Sequence, residues 1–475
     1  MKKINKLSIV TVVILFTAAG ILFLLKDFQT YQQQSPMPVS ISSAEAVSQH
    51  SGGDAGTGFS IAEDTKTAVK EAIDMALAQS GKNQADFCII LASSKNDFPL
   101  ILTETKQILG NNIKIFGGTS GSGSVMTEQG YLKAGIKNDS GIPIDKTLTV
   151  MTISTKDIVF GTASADLGDS NAVHDAAATV VKKAIEDAGK TIENKPKVIL
   201  LYVGKGIEEE TIKGIESVTG KDVPIFGGTA GGPKRIVMSD EGAYERGISA
   251  TVIYTDLPIG LSFEAGYDIH GKHSGVVTKV TGQNIEEIDG RPAMTVYNEW
   301  MDGEIERLAK KEMKKPAEIE AFLALHPFYR KLTSSEGQDY YLFTRPWPKD
   351  PSLVNKFIQT NTKIMPQEKI YISHGTWDTL MNRMGIVASS AKMHCGLEPA
   401  DKPLLVIGVI CDGMMGCIPE EEKSKFPYLI NYSTGSDCTI AAFTSGEQGH
   451  FPGVGNRHGN LATSFLVIGS GKKNK

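Results

Sequence analysis

Two short loops hold the densest chemistry in this chain: Gly117-Gly118-Thr119-Ser120-Gly121 and Gly227-Gly228-Thr229-Ala230-Gly231. Each follows an apolar pair, Ile115-Phe116 or Ile225-Phe226. Glycine lets backbone N–H groups come close to an anion or carboxylate, and the Thr119 and Thr229 hydroxyls add donors. Read singly, either loop is equally well a tight turn that uses glycine for positive φ. A fainter echo runs from Cys438 through Ser445-Gly446-Glu447, where the Glu447 carboxylate could meet an amine. Two or three such loops meeting across a pseudo-symmetric sheet would line a pocket. The candidate ligand-binding residues are therefore Gly118, Thr119, Ser120, Gly121, Gly228, Thr229, Gly231, Gly446 and Glu447. Cys411 joins them, at the end of the apolar run Leu404–Val409.

Other chemistries fit less well. A nucleotide P-loop must end in Gly-Lys-Ser/Thr, but Pro233 and Arg235 interrupt the second loop and Gly117–Ser124 holds no Lys. Gly121-Ser122-Gly123-Ser124 lacks the Gly-x-Ser-x-Gly elbow of a serine hydrolase, and no His or Asp is tied to it by spacing. Ser122 and Cys411 remain the nucleophiles of a residual hydrolase or transferase reading, so no catalytic residue is assigned. Nine His and five Cys form no Cys-x-x-Cys, His-Glu-x-x-His or Cys-x-x-Cys-His site, so no metal ligand is assigned. A non-covalent haem needs one axial His, which spacing does not decide; the cofactor is left unknown.

The elements around the loops repeat. Phe87–Ala92 reads as a strand, Leu100–Leu109 as a helix, and the first loop follows; Val198–Val203, Ile207–Val218 and the second loop give the same order. Strand and motif are separated by 28 residues in one copy and 27 in the other, and the motifs lie 110 apart. That regularity predicts an α/β fold of duplicated mixed-sheet units. A boundary near 270 divides it into two halves. Residues 307–335 are charged and read as helical.

Charge and hydropathy are uneven. The chain has 475 residues and a formal net charge of −5. Residues 1–35 hold Lys2, Lys3, Lys6 and Lys26 against Asp27, leaving 45 basic and 53 acidic groups beyond them. An acidic body without a basic cluster excludes nucleic acid as the main partner. Leu7–Leu25 is a stretch of 19 uncharged residues, about 28 Å as a helix and close to the hydrocarbon thickness of a bilayer. The expectation is a single-pass cell-membrane protein with residues 1–6 cytoplasmic, a signal anchor at 7–25 and an extracytoplasmic body. Secretion after signal cleavage is the alternative. Residues 26–58, rich in Gln, Ser, Gly and Pro, read as a flexible tether.

Taken together, the motifs resemble the FIST family of sensory domains. Ile115–Gly121 and Ile225–Gly231 look like its two N-terminal glycine turns. Val277-Thr278, Ile288-Asp289-Gly290-Arg291-Pro292-Ala293 and Tyr297 are similar to its C-terminal signature, as are Cys411-Asp412-Gly413, Ser445-Gly446-Glu447 and Asn460-Leu461-Ala462-Thr463. The resemblance implies FIST N-like (59–270) and FIST C-like (271–470) domains forming two sensor halves. It implies a small-molecule ligand, for which amino acids have been proposed in the family, while some members bind haem. Signalling would pass to a separate output protein, and no enzyme activity is expected.

Overall fold

The computed structural model describes residues 54–137, 141, 143–269, 272–310, 316–347 and 357–470. The expected anchor at 7–25, the expected cytoplasmic stretch 1–6 and most of the expected tether lie outside them. Among the described residues no helix is long and apolar enough to cross a membrane.

The architecture is mixed α/β, and the predicted duplication is a triplication. Each repeat has two parallel strands with antiparallel partners. In the first, Phe87–Ala92 pairs in parallel with Lys114–Thr119 and antiparallel with Leu148–Ile153. In the second, Val198–Val203 pairs with Ile225–Thr229 and Gly247–Thr255. In the third, Pro403–Cys411 pairs with Thr439–Thr444 and Thr463–Gly469. Helices cover the outer faces, and the inner faces share one core in which Ile89, Leu200, Val409 and Leu466 meet. The third copy is faint in sequence because a separate sheet, spanning Ser274–Ile372, interrupts it between Ile259–Glu264 and helix Trp377–His394.

Each repeat also passes a hairpin to a neighbour. The strand after the first loop, Ser124–Thr127, pairs with Thr439–Thr444 of the third repeat. Val237–Ser239 crosses from the second repeat to Lys114–Thr119 of the first. Glu447–Phe451 crosses from the third to Ile225–Thr229 of the second. Each of the three sheets has six strands and contains a strand from another repeat, so residues on both sides of 270 share sheets.

Two stretches differ from expectation. Residues 55–58 of the supposed tether belong to strand Ala55–Ser60. Its Gly56 and Gly58 are there for packing: a Cβ would come 2.1 Å from the Ala76 carbonyl oxygen and 2.0 Å from that of Ala72. Within the charged segment 307–335, Phe328–Thr333 is a strand rather than a helix, because Lys331 and Thr333 alternate with buried or half-buried neighbours. All five cysteines are free thiols.

Candidate functional site

The hairpin exchange brings the three loops to one junction. Gly231 N–H donates to the Thr119 carbonyl at 3.1 Å, Ser445 N–H to that of Thr229 at 3.0 Å, and Thr229 N–H to that of Gly446 at 2.8 Å. The Phe443 N–H reaches Ser120 Oγ at 2.9 Å. The predicted site residues are thus brought together, but as a buried seam. Their backbone donors are taken up within the fold, Thr119 N–H by the Ile236 carbonyl and Ser120 N–H by that of Ala92, and Thr119, Ser120, Thr229 and Glu447 are fully buried. Gly118, Gly121, Gly228, Gly231 and Gly446 are buried with them. Of the ten, Cys411 alone lines the cavity beside the seam.

That cavity has a volume of about 480 Å³. The third repeat supplies Cys411, Asp412, Lys423, Ser445 and Asn460; the exchanged first-repeat hairpin supplies Ser122, Ser124, Tyr131 and Lys133. Lys205, at the C-terminal end of Val198–Val203, closes a third side. The inserted segment adds Glu320, Arg345 and Trp347. Crevices at the carboxyl ends of strands are where α/β sheets commonly bind ligands. Lys205, Cys411 and Asp412 lie at such ends.

Local backbone fixes the polar groups. Ser122 has a φ of 51°, a left-handed conformation uncommon outside glycine, and its Oγ donates to Asp412 Oδ2 at 3.0 Å. Gly121 permits this approach, because a Cβ there would sit 2.7 Å from the Asp412 carboxyl carbon. Burial pushes the Asp412 pKa up, partly offset by the Ser122 hydrogen bond, Lys133 and Lys423. Asp412 Oδ1, Asn460 Oδ1 and Arg345 Nε are buried without a hydrogen-bond partner among the described residues. Arg345 donates to the Glu320 carbonyl at 2.7 Å and stacks 4.5 Å over Trp347. Lys133 and Lys423 share Glu420 at 2.9 and 2.8 Å. The lining therefore carries Lys133, Lys205, Arg345 and Lys423 against Glu320 and Asp412, a cationic cavity in an acidic body. No histidine lines it. The Cys411 thiol is pushed well up in pKa by burial and by Glu447, which keeps it from being the thiolate a nucleophile needs. Among the described residues no cluster of His, Cys, Asp and Glu suits a metal ion.

One cavity wall is held by a histidine pair. His326 follows helix Pro316–Leu325, which contributes Glu320. Its Nδ1 lies 2.7 Å from the Phe322 carbonyl, so that nitrogen carries the proton and Nε2 accepts from His374 Nδ1 at 3.0 Å. Burial lowers the His326 pKa and His374 adds to this, against the Phe322 hydrogen bond and Glu304. A lowered folded pKa makes the contribution full above the unfolded value of about 6.5 and lost as pH falls through the folded one. The His326 contribution should therefore decline below about pH 6.5, read by urea unfolding as a difference in pH slope between the parent and His326→Asn; identical slopes in the two would count against the clip.

Residues 86–291 match the family model described as the FIST N domain. A search of curated proteins found no match. Among solved structures, the crystal structure of a cyanuric acid hydrolase from A. caulinodans aligns with 88% of this chain and 99% of its own, at 8% identity and a TM-score of 0.32. That likeness is too loose to bear on the site. Over residues 86–291, then, the chain carries a FIST N domain, in line with the resemblance of its glycine turns to that family.

Proposed function

We propose that the chain is a ligand-sensing protein whose cavity holds a small amino-acid-like molecule. The observation that carries this is the cationic lining set in an acidic body, with unpartnered acceptors beside it. Arg345, Lys423, Lys133 and Lys205 would take a carboxylate or similar anion. Asp412 Oδ1 and Asn460 Oδ1 would take an ammonium or other N–H donor, and Trp347 an apolar side chain. The FIST assignment supports a sensory rather than a catalytic role. The proposal extends to a signal anchor at Leu7–Leu25, an extracytoplasmic body and a separate output protein.

The test is thermal shift and calorimetric titration of the full chain in nanodiscs against amino acids, matched acids lacking the amine, and matched amines lacking the acid. An amino acid at about 100 times its Kd should stabilise the fold by about 2.7 kcal/mol, and both truncated sets should bind more weakly. Arg345→Ala should weaken binding by roughly 10- to 100-fold, as for loss of a charged hydrogen bond. No shift with any member of the panel would sink the reading.

A further inference from the structure

The inserted sheet contains a second opening, away from the ligand cavity. Strand Phe328–Thr333 pairs along its whole length with Asp339–Thr344. On its other side it meets strand Lys369–Ile372, but only Phe328↔Ile372 and Tyr329↔Tyr371 are paired. Continuing that register would place Lys331 directly opposite Lys369. Both would project from the face that carries Tyr329 and Tyr371, since side chains alternate along a strand. Like charges directly opposite one another disfavour pairing. Here the ladder ends and a cleft of about 470 Å³ opens, lined by Arg330, Lys331, Leu332, Thr333, Lys369 and Tyr371, with Glu368.

Of the three cations in the cleft, Lys369 alone has no carboxylate partner among the described residues. Lys331 turns to Asp339 on the far strand at 2.6 Å, and Lys369 lies 5.1 Å over the Tyr371 ring. Deeper in, Arg330 binds Glu368 at 2.9 Å while its buried Nε has no partner. The backbone edge of residues 330–333 facing the cleft has no ladder partner among the described residues. An edge of this kind offers hydrogen bonds to an added strand.

We infer that this cleft receives an extended acidic peptide, added as a strand against residues 330–333. Its acidic side chains would alternate on the Lys331 and Lys369 face, and apolar ones would lie on the Leu332 side. An incoming carboxylate would meet Lys369, which has no ion-pair partner among the described residues, beside the Lys331–Asp339 pair. The site is independent of the ligand cavity and fits a segment of a signalling partner.

The probe is a fluorescein-labelled acetyl-Val-Glu-Val-Glu-Val-Glu-Val-amide, followed by anisotropy on the full chain in nanodiscs. It should bind, and the same peptide with Lys for Glu should bind at least roughly tenfold more weakly, as repelled charges require. A proline in place of the third residue, a Val, removes a backbone N–H and should abolish binding. Lys369→Glu would pair with Lys331, close the ladder, protect residues 330–333 from amide exchange and eliminate peptide binding. Lys331→Glu with Lys369→Glu should reverse the preference toward the Lys peptide. Failure of the acidic peptide to bind, or binding indifferent to both variants, overturns the inference. So does self-association of the double variant without peptide binding, because the lysines would then merely guard an edge.

Discussion

Replacing Gly231 by valine is expected to prevent folding. The Gly231 Cα faces the backbone of another repeat: a Cβ would lie 2.5 Å from both Gly121 Cα and Gly121 N, and 2.8 Å from the Phe443 carbonyl oxygen. None of these atoms belongs to a side chain that could rotate away. Gly121 is held by the Thr119–Gly231 hydrogen bond and Phe443 lies within a sheet. Overpacking of side chains costs about 1–3 kcal/mol; a clash between fixed backbones should exceed about 4 kcal/mol, a large part of a domain's stability. Gly130→Ala is the control, because its Cβ would meet nothing within 4 Å, and it should change stability by less than about 0.5 kcal/mol. Circular dichroism and soluble yield read both. A folded Gly231→Val with near-parental melting would show that the junction does not hold the repeats together.

That prediction also marks how far the sequence could be read. The repeats were visible because local spacing records them: strand, helix and glycine loop recur at nearly constant separation. The hairpin exchange was not, because no pattern near Val125 or Met126 indicates that their partner is Ala442 or Ala441, about three hundred residues away in the sequence. This decides the role of the glycines. Read locally, Gly118–Gly121 and Gly228–Gly231 look like donors facing a ligand. Once the repeats interlock, the same glycines are what allows three backbones to meet. The cavity residues were missed for a related reason. Lys205, Arg345 and Lys423 come from separate segments, and no motif spans them, whereas Asp412 and Asn460 lie in stretches that resemble the family's C-terminal signature. The signal at Lys205 is weak: like Asp412, it follows a buried strand at its C-terminal end. In the tether and in residues 328–333, composition misled, since glycine suggested flexibility where it permits close packing and lysine suggested a helix surface where it marks a strand edge.

The second large effect is expected from Glu447, which sits behind Cys411 in the wall between junction and cavity. It is fully buried, accepts hydrogen bonds from the Thr444 hydroxyl at 2.8 Å and from Ala462 N–H at 3.1 Å, and has no cationic partner among the described residues. Burial, with the nearby Asp412, raises its pKa to about 8, despite the hydrogen bonds from Thr444, Ala462 and Cys411. Between its unfolded value of about 4.3 and 8 the folded chain holds a proton that the unfolded chain has lost. Its contribution is therefore complete below the unfolded value and falls as pH rises through the folded one, by about 5 kcal/mol over the window. His326 acts in the opposite sense, so the two slopes must be separated by substitution. Glu447→Gln keeps the neutral shape of the protonated acid; its unfolding free energy should be nearly flat where the parent declines, and greater than the parent's at pH 8. A parent profile without this decline, or a Gln variant that retains it, would refute the assignment. The same proton bears on binding. With Glu447 neutral, no charge stands behind Cys411; above pH 8 a buried carboxylate appears next to Cys411 and Asp412. On the proposed reading of the cavity, affinity for an anionic ligand should then fall in the parent and hold in the Gln variant.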